Sequence, residues 1–587
     1  MASTTIPRLT QYTAFVDPDT HLPRIGHYNP SDETILPLSF TSGTPVANLY
    51  QVIEAGWDKI IATDAPIAFS SVKLLPTISG RDVLAVGKNY MEHAKEFNSS
   101  GFDSSDKVDR PSHPVIFTKR ATSIIAHGED IYPHDGFSTT VDYEGEIGVI
   151  IGRAGFRVDE KDAWDYIWGY TIINDVTARE KQRDHKQFFI GKSPDTFCPI
   201  GPIAVPKEDL PSTLQVQTHI NGDLRQTATT DDLIFSIPTL ISTISAGQTI
   251  QPGDVIATGT PAGVGFGQVP PVYLNPGDEI AITVTGLGTL RNKIASSTAS
   301  NLTTTPSSFQ LTNAAKTVSA TSALTQINSK SLHYRSLGSG SDQVVFVHGL
   351  GGSLETWTPL ISVLALEESH TLHLFDLEGH GLSPTHPLSE VTIESLAADI
   401  RGVFDHAQIA QSNPATLVAH SMGSLAAIQF ALDNSGLVKK LILVGPPPSP
   451  FLDAVAGVFS AQAALVRTKG LSTVVDGVVA GSLSTHSQKT NPLSTAALRV
   501  SILGQDPESY AKALGALSKA TSELKVEGLE ADTLIVTGNE DPVSPPAVCE
   551  QYAARIKAAR LVVLKNVGHW PQFEDLQGLT EAVKGFF

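Results

Sequence analysis

Two glutamates and an aspartate stand beside predicted apolar strands, and their side chains could hold a hard metal ion. Glu144 and Glu146 lie just before the apolar run Ile147–Ile151. Because they are two residues apart, both side chains would point to the same face of a strand. Asp175 ends a second apolar run in the segment GYTIIND. Buried carboxylates need protons, partners or a cation, and three oxygen donors without nearby His or Cys suit Mg²⁺, Mn²⁺ or Ca²⁺ rather than zinc. A solvated edge strand with scattered acids is the alternative interpretation.

Other residues of the first half could move protons or stabilise charge. His93 and Glu96 are three residues apart and would be neighbours on a helix. A carboxylate beside an imidazole fixes the ring, as general bases require, although an exposed helical pair without a role is the alternative. Lys192 could stabilise a developing enolate or be an ordinary surface lysine. Thr260 lies in GTPAGVG, where glycines permit close approach of the backbone to a ligand.

The composition excludes several classes of function. The 587 residues exceed one ordinary domain, and 41% hydrophobic with 17% charged residues allow substantial cores. A net charge of −19 argues against binding to nucleic acid or anionic membranes. Cys198 and Cys549 lie in different halves, the N-terminus lacks the features of a secretory signal, and no apolar run approaches a membrane span. We therefore expect a cytoplasmic enzyme that acts on small molecules.

The chain is predicted to contain two folded parts and a linker. Residues 295–324 are rich in Ser, Thr and Ala without an apolar period, as in a flexible linker. Short strands and Gly/Pro turns before it predict a mostly β (α+β) domain at 76–294, preceded by a small β region at 1–75. Strands and helical stretches alternate over 325–587, which predicts a parallel sheet flanked by helices, with a helical cap at about 445–520.

The first half resembles the fumarylacetoacetate hydrolase family from Leu84 to Asn292. The matching segments, in the family's order, are LAVGKNYMEHAKE, VDYEGEIGVIIG, GYTIINDVTARE, QFFIGKSPDTFCPIGP, QPGDVIATGTPAGVG and LNPGDEIAITVTGLGTLRN. The resemblance implies a metal site, a general base, substrate-binding side chains and a homodimer formed through this half. The implied residues are Glu144, Glu146 and Asp175 for Mg²⁺ or Mn²⁺, His93 and Glu96 for activation of water, and Gln187, Lys192 and Thr260 for the substrate's oxygens.

The resemblance leaves the reaction of the first half open. Members of this family hydrolyse a C–C bond in 2,4-dioxo acids of the fumarylacetoacetate or acylpyruvate type, decarboxylate oxaloacetate, or interconvert keto and enol forms. All three reactions pass through an enolate of a 2-oxo acid. The Gly263-x-Gly265-x-Gly267 pattern has no following helix or βαβ unit, so no dinucleotide cofactor is predicted.

The second half resembles the α/β-hydrolase family from about Thr325 to Phe587. The segments that carry the resemblance are VFVHGLGGSLETW, FDLEGHGLS, LVAHSMGS, VTGNEDPVSP and VGHWPQFED. Ser421 lies in AHSMG, a sharp turn between strand and helix, with Ala419 in place of the usual first glycine. Among relatives, the second half looks nearest to enol-lactonases and other small-ester hydrolases.

The catalytic set implied for this half follows the family's chain order of Ser, Asp and His. His569 is expected to deprotonate Ser421, and Asp541 to orient His569, with Glu540 as a competing acid on the same turn. The backbone amides of Leu350 and Met422 are expected to form the oxyanion hole.

Two complete sets of catalytic residues predict a bifunctional catabolic enzyme. In this hypothesis the serine hydrolase opens an ester or enol-lactone, and the metal-dependent domain cleaves a 2,4-dioxo acid. The alternatives are a decarboxylase or keto–enol isomerase in the first half, or one domain that serves assembly without catalysis.

Overall fold

The computed structural model describes residues 9–99, 108–296 and 324–587, which fall into two compact units. The first unit contains the described residues up to 296, and the second contains those from 324 onwards. Most of the predicted linker, 295–324, lies outside the described residues. The linker and the domain boundaries therefore stay predictions.

The first unit consists mainly of short strands with few helices, as its turns predict. Its strands are β1 (Tyr12–Val16), β2 (Pro23–Asn29), β3 (Thr34–Phe40), β4 (Ile60–Ala62), β5 (Ile67–Ala68), β6 (Leu74–Leu75), β7 (Val83–Gly87), β8 (Val115–Lys119), β9 (Ile124–Ile125), β10 (Val141–Asp142), β11 (Gly145–Ile151), β12 (Ile167–Asn174), β13 (Thr177–Ala178), β14 (Cys198–Pro206), β15 (Gln215–Ile220), β16 (Asp223–Thr229), β17 (Val255–Ala257), β18 (Glu279–Val284) and β19 (Gly288–Lys293). Its α-helices are Leu49–Ala55, Met91–Ser99, Arg179–Asp184, Phe189–Lys192 and Ile237–Ser245.

Thirteen of these strands form one large sheet. Its main order is β4-β3-β2-β1-β14-β12-β11-β17-β7-β8, with β5, β6 and β9 attached to its sides. The N-terminal strands continue this sheet through β1 and β14, where Tyr12 pairs with Ala204. A separate sheet, β16-β15-β18-β19, shares an apolar core with β11 and β12 through residues such as Ile147, Val216 and Ile282.

Strand β11 lies in the interior of the large sheet and is buried along its whole length. It pairs antiparallel with β12 on one side and with β17 on the other. A strand with partners on both edges and apolar layers on both faces has little freedom to move. Acidic side chains at its start are therefore held in a fixed, water-poor position.

The second unit alternates strands with helices. Its strands are β20 (Leu324–Ile327), β21 (Lys330–Leu337), β22 (Asp342–Val347), β23 (His370–Phe375), β24 (Ala415–His420), β25 (Val438–Val444), β26 (Asp532–Gly538) and β27 (Ala559–Leu564). Its α-helices are Thr358–Leu364, Ile393–His406, Met422–Asp433, Asp453–Lys469, Val475–Ser482, Thr485–Thr490, Pro492–Leu503, Pro507–Lys519, Pro546–Arg555, Pro571–Glu574 and Leu576–Val583.

The eight strands of the second unit form one sheet in the order β20-β21-β23-β22-β24-β25-β26-β27. Strands β22 to β27 pair in parallel, which confirms the α/β architecture predicted from the alternation. Separate apolar clusters cover the two faces of the sheet. In such a sheet the loops at the carboxyl ends of the parallel strands meet at one edge, where ligands bind.

Five helices between β25 and β26, at Asp453–Lys469, Val475–Ser482, Thr485–Thr490, Pro492–Leu503 and Pro507–Lys519, form the predicted cap. They share a core of their own, which includes Val466, Leu498, Ile502 and Leu514. In the part of the chain that the structure describes, no helix is both long and apolar enough to cross a bilayer.

Candidate active sites

Three carboxylates converge at one end of the β11–β12 pair. The antiparallel register pairs Gly145 with Asn174. Glu144 and Glu146, on either side of Gly145, are therefore close to Asp175, which follows Asn174. The Asp175 amide donates to the carbonyl oxygen of Glu144 at 2.8 Å. One oxygen from each of the three carboxylates lies within 4.8 Å of the others, and all three residues are buried. Glu144 lies just before β11 and not within it, so the carboxylates meet although the two glutamates do not share one strand as predicted.

Two buried lysines and an arginine surround these acids. Lys192 Nζ lies 2.5 Å from Glu144 Oε2 and 2.6 Å from Asp175 Oδ2. Lys119 Nζ lies 2.5 Å from Asp175 Oδ1 and also donates to the Val176 carbonyl. Arg179 Nη1 lies 2.6 Å from Glu144 Oε1. Burial would raise the pKa of Glu144, but Lys192 and Arg179 outweigh it and hold that pKa well below its usual range.

Glu146 differs from its two neighbours because no cation among the described residues pairs with it. Its Oε2 accepts a hydrogen bond from the Gly259 amide at 2.8 Å. Burial, reinforced by Asp175 and Glu144, raises the pKa of Glu146 well above its ordinary value. A buried carboxylate without a cationic partner, beside two others that supply oxygen donors, fits a divalent ion such as Mg²⁺ or Mn²⁺. The donor chemistry of this site therefore suits the predicted metal.

A small cavity opens next to the acids, and several basic side chains line it together with Glu144. Lys88, His93, Arg179 and Lys192 line it, together with aromatic rings that include Phe117. Arg179 is 1% exposed, and its Nη2 has no hydrogen-bond partner among the described residues. An unpaired buried guanidinium N–H is costly unless a ligand accepts from it. The basic groups that line this cavity, which has a volume of only about 20 Å³, can bind a carboxylate group.

His93 and Glu96 lie at the edge of this cavity in the arrangement predicted from their spacing. His93 Nδ1 lies 3.2 Å from Glu96 Oε2, and His93 is 4% exposed. The Gly263 amide also donates to Glu96, at 3.2 Å to Oε1. Gly263 has φ +104°, and a Cβ there would lie 1.9 Å from the Arg225 carbonyl oxygen, so only glycine fits. The glutamate is therefore anchored and fixes the imidazole.

The structure does not bring Gln187 to the cavity. Gln187 is exposed, whereas Gln182 is 2% exposed and lines the cavity with Arg179. The helix Arg179–Asp184 explains the difference, because positions 179 and 182 share one face. The three-residue spacing of Arg179 and Gln182 in TAREKQ is the sequence pattern that could have identified both as cavity residues. Lys88 and Lys119 are also buried at this site, and no sequence pattern distinguishes a buried lysine from an exposed one.

Thr260 lies at the cavity wall with its hydroxyl already engaged. Its Oγ1 donates to the Gly145 carbonyl at 3.0 Å and accepts from Gln226 Nε2 at 2.8 Å. The side chain therefore ties the GTPAGVG loop to the start of β11. This leaves the loop backbone, rather than a free hydroxyl donor, as the surface that Thr260 offers to a ligand.

In the second unit, Ser421, His569 and Asp541 form a continuous hydrogen-bonded chain. Ser421 Oγ lies 2.8 Å from His569 Nε2, and His569 Nδ1 lies 2.8 Å from Asp541 Oδ2. Asp541 Oδ1 also accepts from the amides of Val543 and Ser544. Burial opposes ionisation of Asp541, but His569 and these amides lower its pKa. The aspartate therefore stays charged and can stabilise a protonated imidazole.

The three residues meet because each follows a parallel strand of one sheet. Ser421 lies between β24 and the helix Met422–Asp433 with φ 52° and ψ −123°, a strained turn that exposes its hydroxyl. A Cβ at Gly423 would lie 2.4 Å from the His348 carbonyl oxygen, so the turn requires glycine there. Ala419, which replaces the family's first glycine, is fully buried in β24 without disturbing this geometry.

The surroundings of Ser421 fit the proposed oxyanion hole. The loop after β22 passes so close that a Cβ at Gly349 would lie 2.7 Å from the Ser421 Cβ, and Leu350 lines the adjoining cavity. Met422 is the first residue of the helix that follows Ser421. Glu540, the competing acid, accepts instead from the Thr485 amide of the cap at 2.9 Å.

The cap encloses a cavity of about 430 Å³ over Ser421. Like Thr485, other cap residues form hydrogen bonds with the core beneath them. Gln505 Nε2 donates to the Gly351 carbonyl at 3.2 Å, and its Oε1 accepts from the Gly381 amide at 3.1 Å. Lys512 Nζ donates to the carbonyl oxygens of His386, Pro387 and Ser389 at 2.7 to 3.1 Å.

Comparisons with known proteins agree with both halves. The family model for the fumarylacetoacetate (FAA) hydrolase C-terminal region matches residues 82–295, and the model for the alpha/beta hydrolase fold matches residues 342–576. The oxaloacetate tautomerase YisK of Bacillus subtilis (strain 168) is 47% identical over 231 residues, which cover 39% of this chain and 74% of that protein. The chain therefore belongs to the fumarylacetoacetate hydrolase family through its first half, and an α/β-hydrolase domain follows.

Two solved structures are similar to parts of this chain. The fumarylacetoacetate hydrolase (EaFAH) from psychrophilic Exiguobacterium antarcticum is 35% identical, with a TM-score of 0.40, and the match covers 49% of this chain and 99% of that one. A thermophilic esterase from Thermogutta terrifontis (malate bound) is 25% identical, with a TM-score of 0.41, covering 44% of this chain and 93% of that one.

Proposed function

We propose that this chain is a bifunctional enzyme with a divalent-metal-dependent site in its first half and a serine hydrolase site in its second. The observation that carries the first activity is the cluster of Glu144, Glu146 and Asp175 beside a cavity lined by basic side chains. The observation that carries the second is the hydrogen-bonded chain of Ser421, His569 and Asp541.

For the first half we propose keto–enol tautomerisation of a small dicarboxylic 2-oxo acid of the oxaloacetate type. The 47% identity to an oxaloacetate tautomerase favours this reaction. Mg²⁺ or Mn²⁺ held by the three carboxylates would supply Lewis-acid polarisation of a carbonyl. Arg179, Lys88 and Lys192 would bind carboxylates of the substrate, and His93, fixed through Nδ1 by Glu96, would move the proton at Nε2.

Hydrolysis of a C–C bond in a 2,4-dioxo acid is the second candidate for this half. The anchored His93–Glu96 pair favours it, because such a pair can take a proton from water as well as from carbon. The two reactions differ in their products. Tautomerisation changes only the ratio of enol to keto form, whereas hydrolysis of an acylpyruvate releases pyruvate.

For the second half we propose hydrolysis of an ester or lactone through an acyl-enzyme. His569 Nε2 would take the proton of Ser421 Oγ as the hydroxyl attacks the substrate carbonyl, and would return it to the leaving oxygen. Asp541 would hold the imidazole in the required orientation. The amides of Leu350 and Met422 would stabilise the oxyanion.

The test uses the full chain with Mg²⁺ or Mn²⁺ and three assays: enol decay of oxaloacetate, pyruvate release from acylpyruvates, and hydrolysis of p-nitrophenyl butyrate. Glu144→Ala is expected to abolish the metal-dependent activity and retain ester hydrolysis, and Ser421→Ala the reverse. Folded protein that is silent in all three assays would contradict the proposal. If Glu144→Ala removed no activity while a dimer persisted, the first half would instead serve assembly.

A further inference from the structure

The cavity over Ser421 differs in chemistry from the basic cavity of the first half. Its lining residues all belong to the described part of the chain, and none of them is Asp, Glu, Lys or Arg. The one histidine in the lining is His569 of the catalytic set. Apolar side chains from both cap and core, such as Phe451, Phe459, Val478 and Trp570, form most of the wall.

Charged residues of the cap and of the catalytic set are already engaged with other groups. Lys512 is 3% exposed and donates to three backbone carbonyls of residues 386–389. Arg467 forms two hydrogen bonds with Glu508, at 2.8 and 3.1 Å. Asp541 is occupied by His569. A carboxylate placed in the cavity would therefore lose its hydration without gaining a cationic partner, which is strongly unfavourable.

Resting on the proposed serine hydrolase activity, we infer that the second site takes an uncharged, mostly apolar ester or lactone and rejects substrates that carry a free carboxylate. The volume of about 430 Å³ lies in the range of small-molecule pockets and leaves room for a medium-length acyl or alkyl group. The anionic 2-oxo acid proposed for the first half would then not be a substrate of the serine hydrolase site. An anionic lactone would need to be neutralised, for example by esterification, before Ser421 could act on it.

The experiment compares two esters that differ in one group, p-nitrophenyl hexanoate and mono-p-nitrophenyl adipate, on the full chain. The adipate ester has the same acyl length but ends in a carboxylate. We expect kcat/KM to favour the hexanoate at least 100-fold, and to rise about two- to four-fold per methylene from acetate to hexanoate. The preference should persist in 0.5 M NaCl, because screening removes only the long-range effect of the acidic protein surface.

A variant pair locates the effect in the cavity. Gln462→Lys introduces a cation into the lining, whereas Ser460→Lys adds the same charge to the same helix at an exposed position. Gln462→Lys is expected to narrow the hexanoate preference at least ten-fold, and Ser460→Lys to leave it within two-fold of the original.

Two results would overturn the inference, and they are distinguishable. If the adipate ester were hydrolysed as well as the hexanoate, the serine hydrolase would stand and the inference about its substrate would fail. If neither ester were hydrolysed and a fluorophosphonate did not label Ser421, the proposed hydrolase activity itself would fail, and the inference with it.

Discussion

Gln505 of the cap donates a hydrogen bond to the carbonyl of Gly351, in the loop that carries the proposed oxyanion amide of Leu350. Its Nε2 also lies 3.3 Å from the Gly352 carbonyl. We expect Gln505→Ala to lower kcat for ester hydrolysis about ten-fold with little change in KM, because a looser loop weakens transition-state stabilisation more than binding. Steady-state kinetics with p-nitrophenyl butyrate measures both constants.

The matched control for this prediction is Gln488→Ala. Gln488 Nε2 also donates to two backbone carbonyls, those of Ala480 and Leu483, but both lie within the cap. This variant should keep its kcat. Equal losses in the two variants would show a general effect on cap stability instead.

Glu146→Gln should separate metal binding from stability. The substitution replaces a negatively charged carboxylate of the predicted metal site by a neutral amide. The affinity for Mn²⁺, measured by isothermal titration calorimetry, should therefore fall at least 100-fold. The Tm of the metal-free protein should not fall, because Glu146 is a buried carboxylate without a cationic partner among the described residues. A lower metal-free Tm, or unchanged Mn²⁺ affinity, would contradict this. Glu279→Gln, at an exposed ion pair with Arg291, is the control.

Arg179→Lys should raise KM for the 2-oxo acid about ten-fold or more. The lysine keeps a positive charge near Glu144 but loses the second arm of the guanidinium, whose Nη2 has no hydrogen-bond partner among the described residues and can bind a carboxylate. Ester hydrolysis and Mn²⁺-dependent thermal stabilisation should be retained. Arg183→Lys, on the same helix but exposed, is the control and should leave KM unchanged. An unchanged KM in Arg179→Lys would remove this residue from the substrate site.

His380 should make the second unit sensitive to acid. It is 1% exposed, and burial, together with neighbouring His348, lowers its pKa to about 3. Because the unfolded chain takes up this proton near pH 6.5, its stabilising contribution is complete above that pH and declines as the pH falls towards 3. At pH 5 the loss is about 2 kcal/mol per such histidine.

The substitution His380→Asn tests this, because the amide can still donate towards the Glu378 carbonyl that faces Nδ1. Hydrogen exchange of peptides from residues 324–587 should show a smaller loss of opening free energy between pH 7.5 and 5 in the variant. His486→Asn, at an exposed cap position, should behave like the original chain. An identical pH dependence in His380→Asn would exclude this histidine as a source.

Much of both sites follows from strand patterns in the sequence. Glu144, Glu146 and Asp175 converge because each lies at the same end of two antiparallel strands whose apolar runs are evident, and the register does the rest. Ser421, Asp541 and His569 converge because each lies in the segment after a parallel strand of one sheet. Regular periodicity thus predicts where backbones meet and which side chains share a face.

What could not be predicted depends on irregular segments and on burial. Gln187 and Gln182 lie five residues apart, and only the bounds of a short helix decide which one faces the cavity. Lys119 is fully buried against Asp175, but its sequence context resembles that of an exposed strand end. The contacts of Gln505 with Gly351 and Gly381 join segments more than 120 residues apart, and no local pattern indicates them.

Hydrogen bonds from Lys512 to residues 386–389, from Gln505 to Gly351 and from Thr485 to Glu540 fasten the cap to the core. We therefore do not expect the cap to open as a single rigid body. We expect ligand entry to Ser421 to depend instead on the helix Asp453–Lys469, whose exposed side chains include Val458 and Leu465. We then expect the rate of ligand entry and the chemistry at the serine to depend on different parts of the cap, so that each can change without the other.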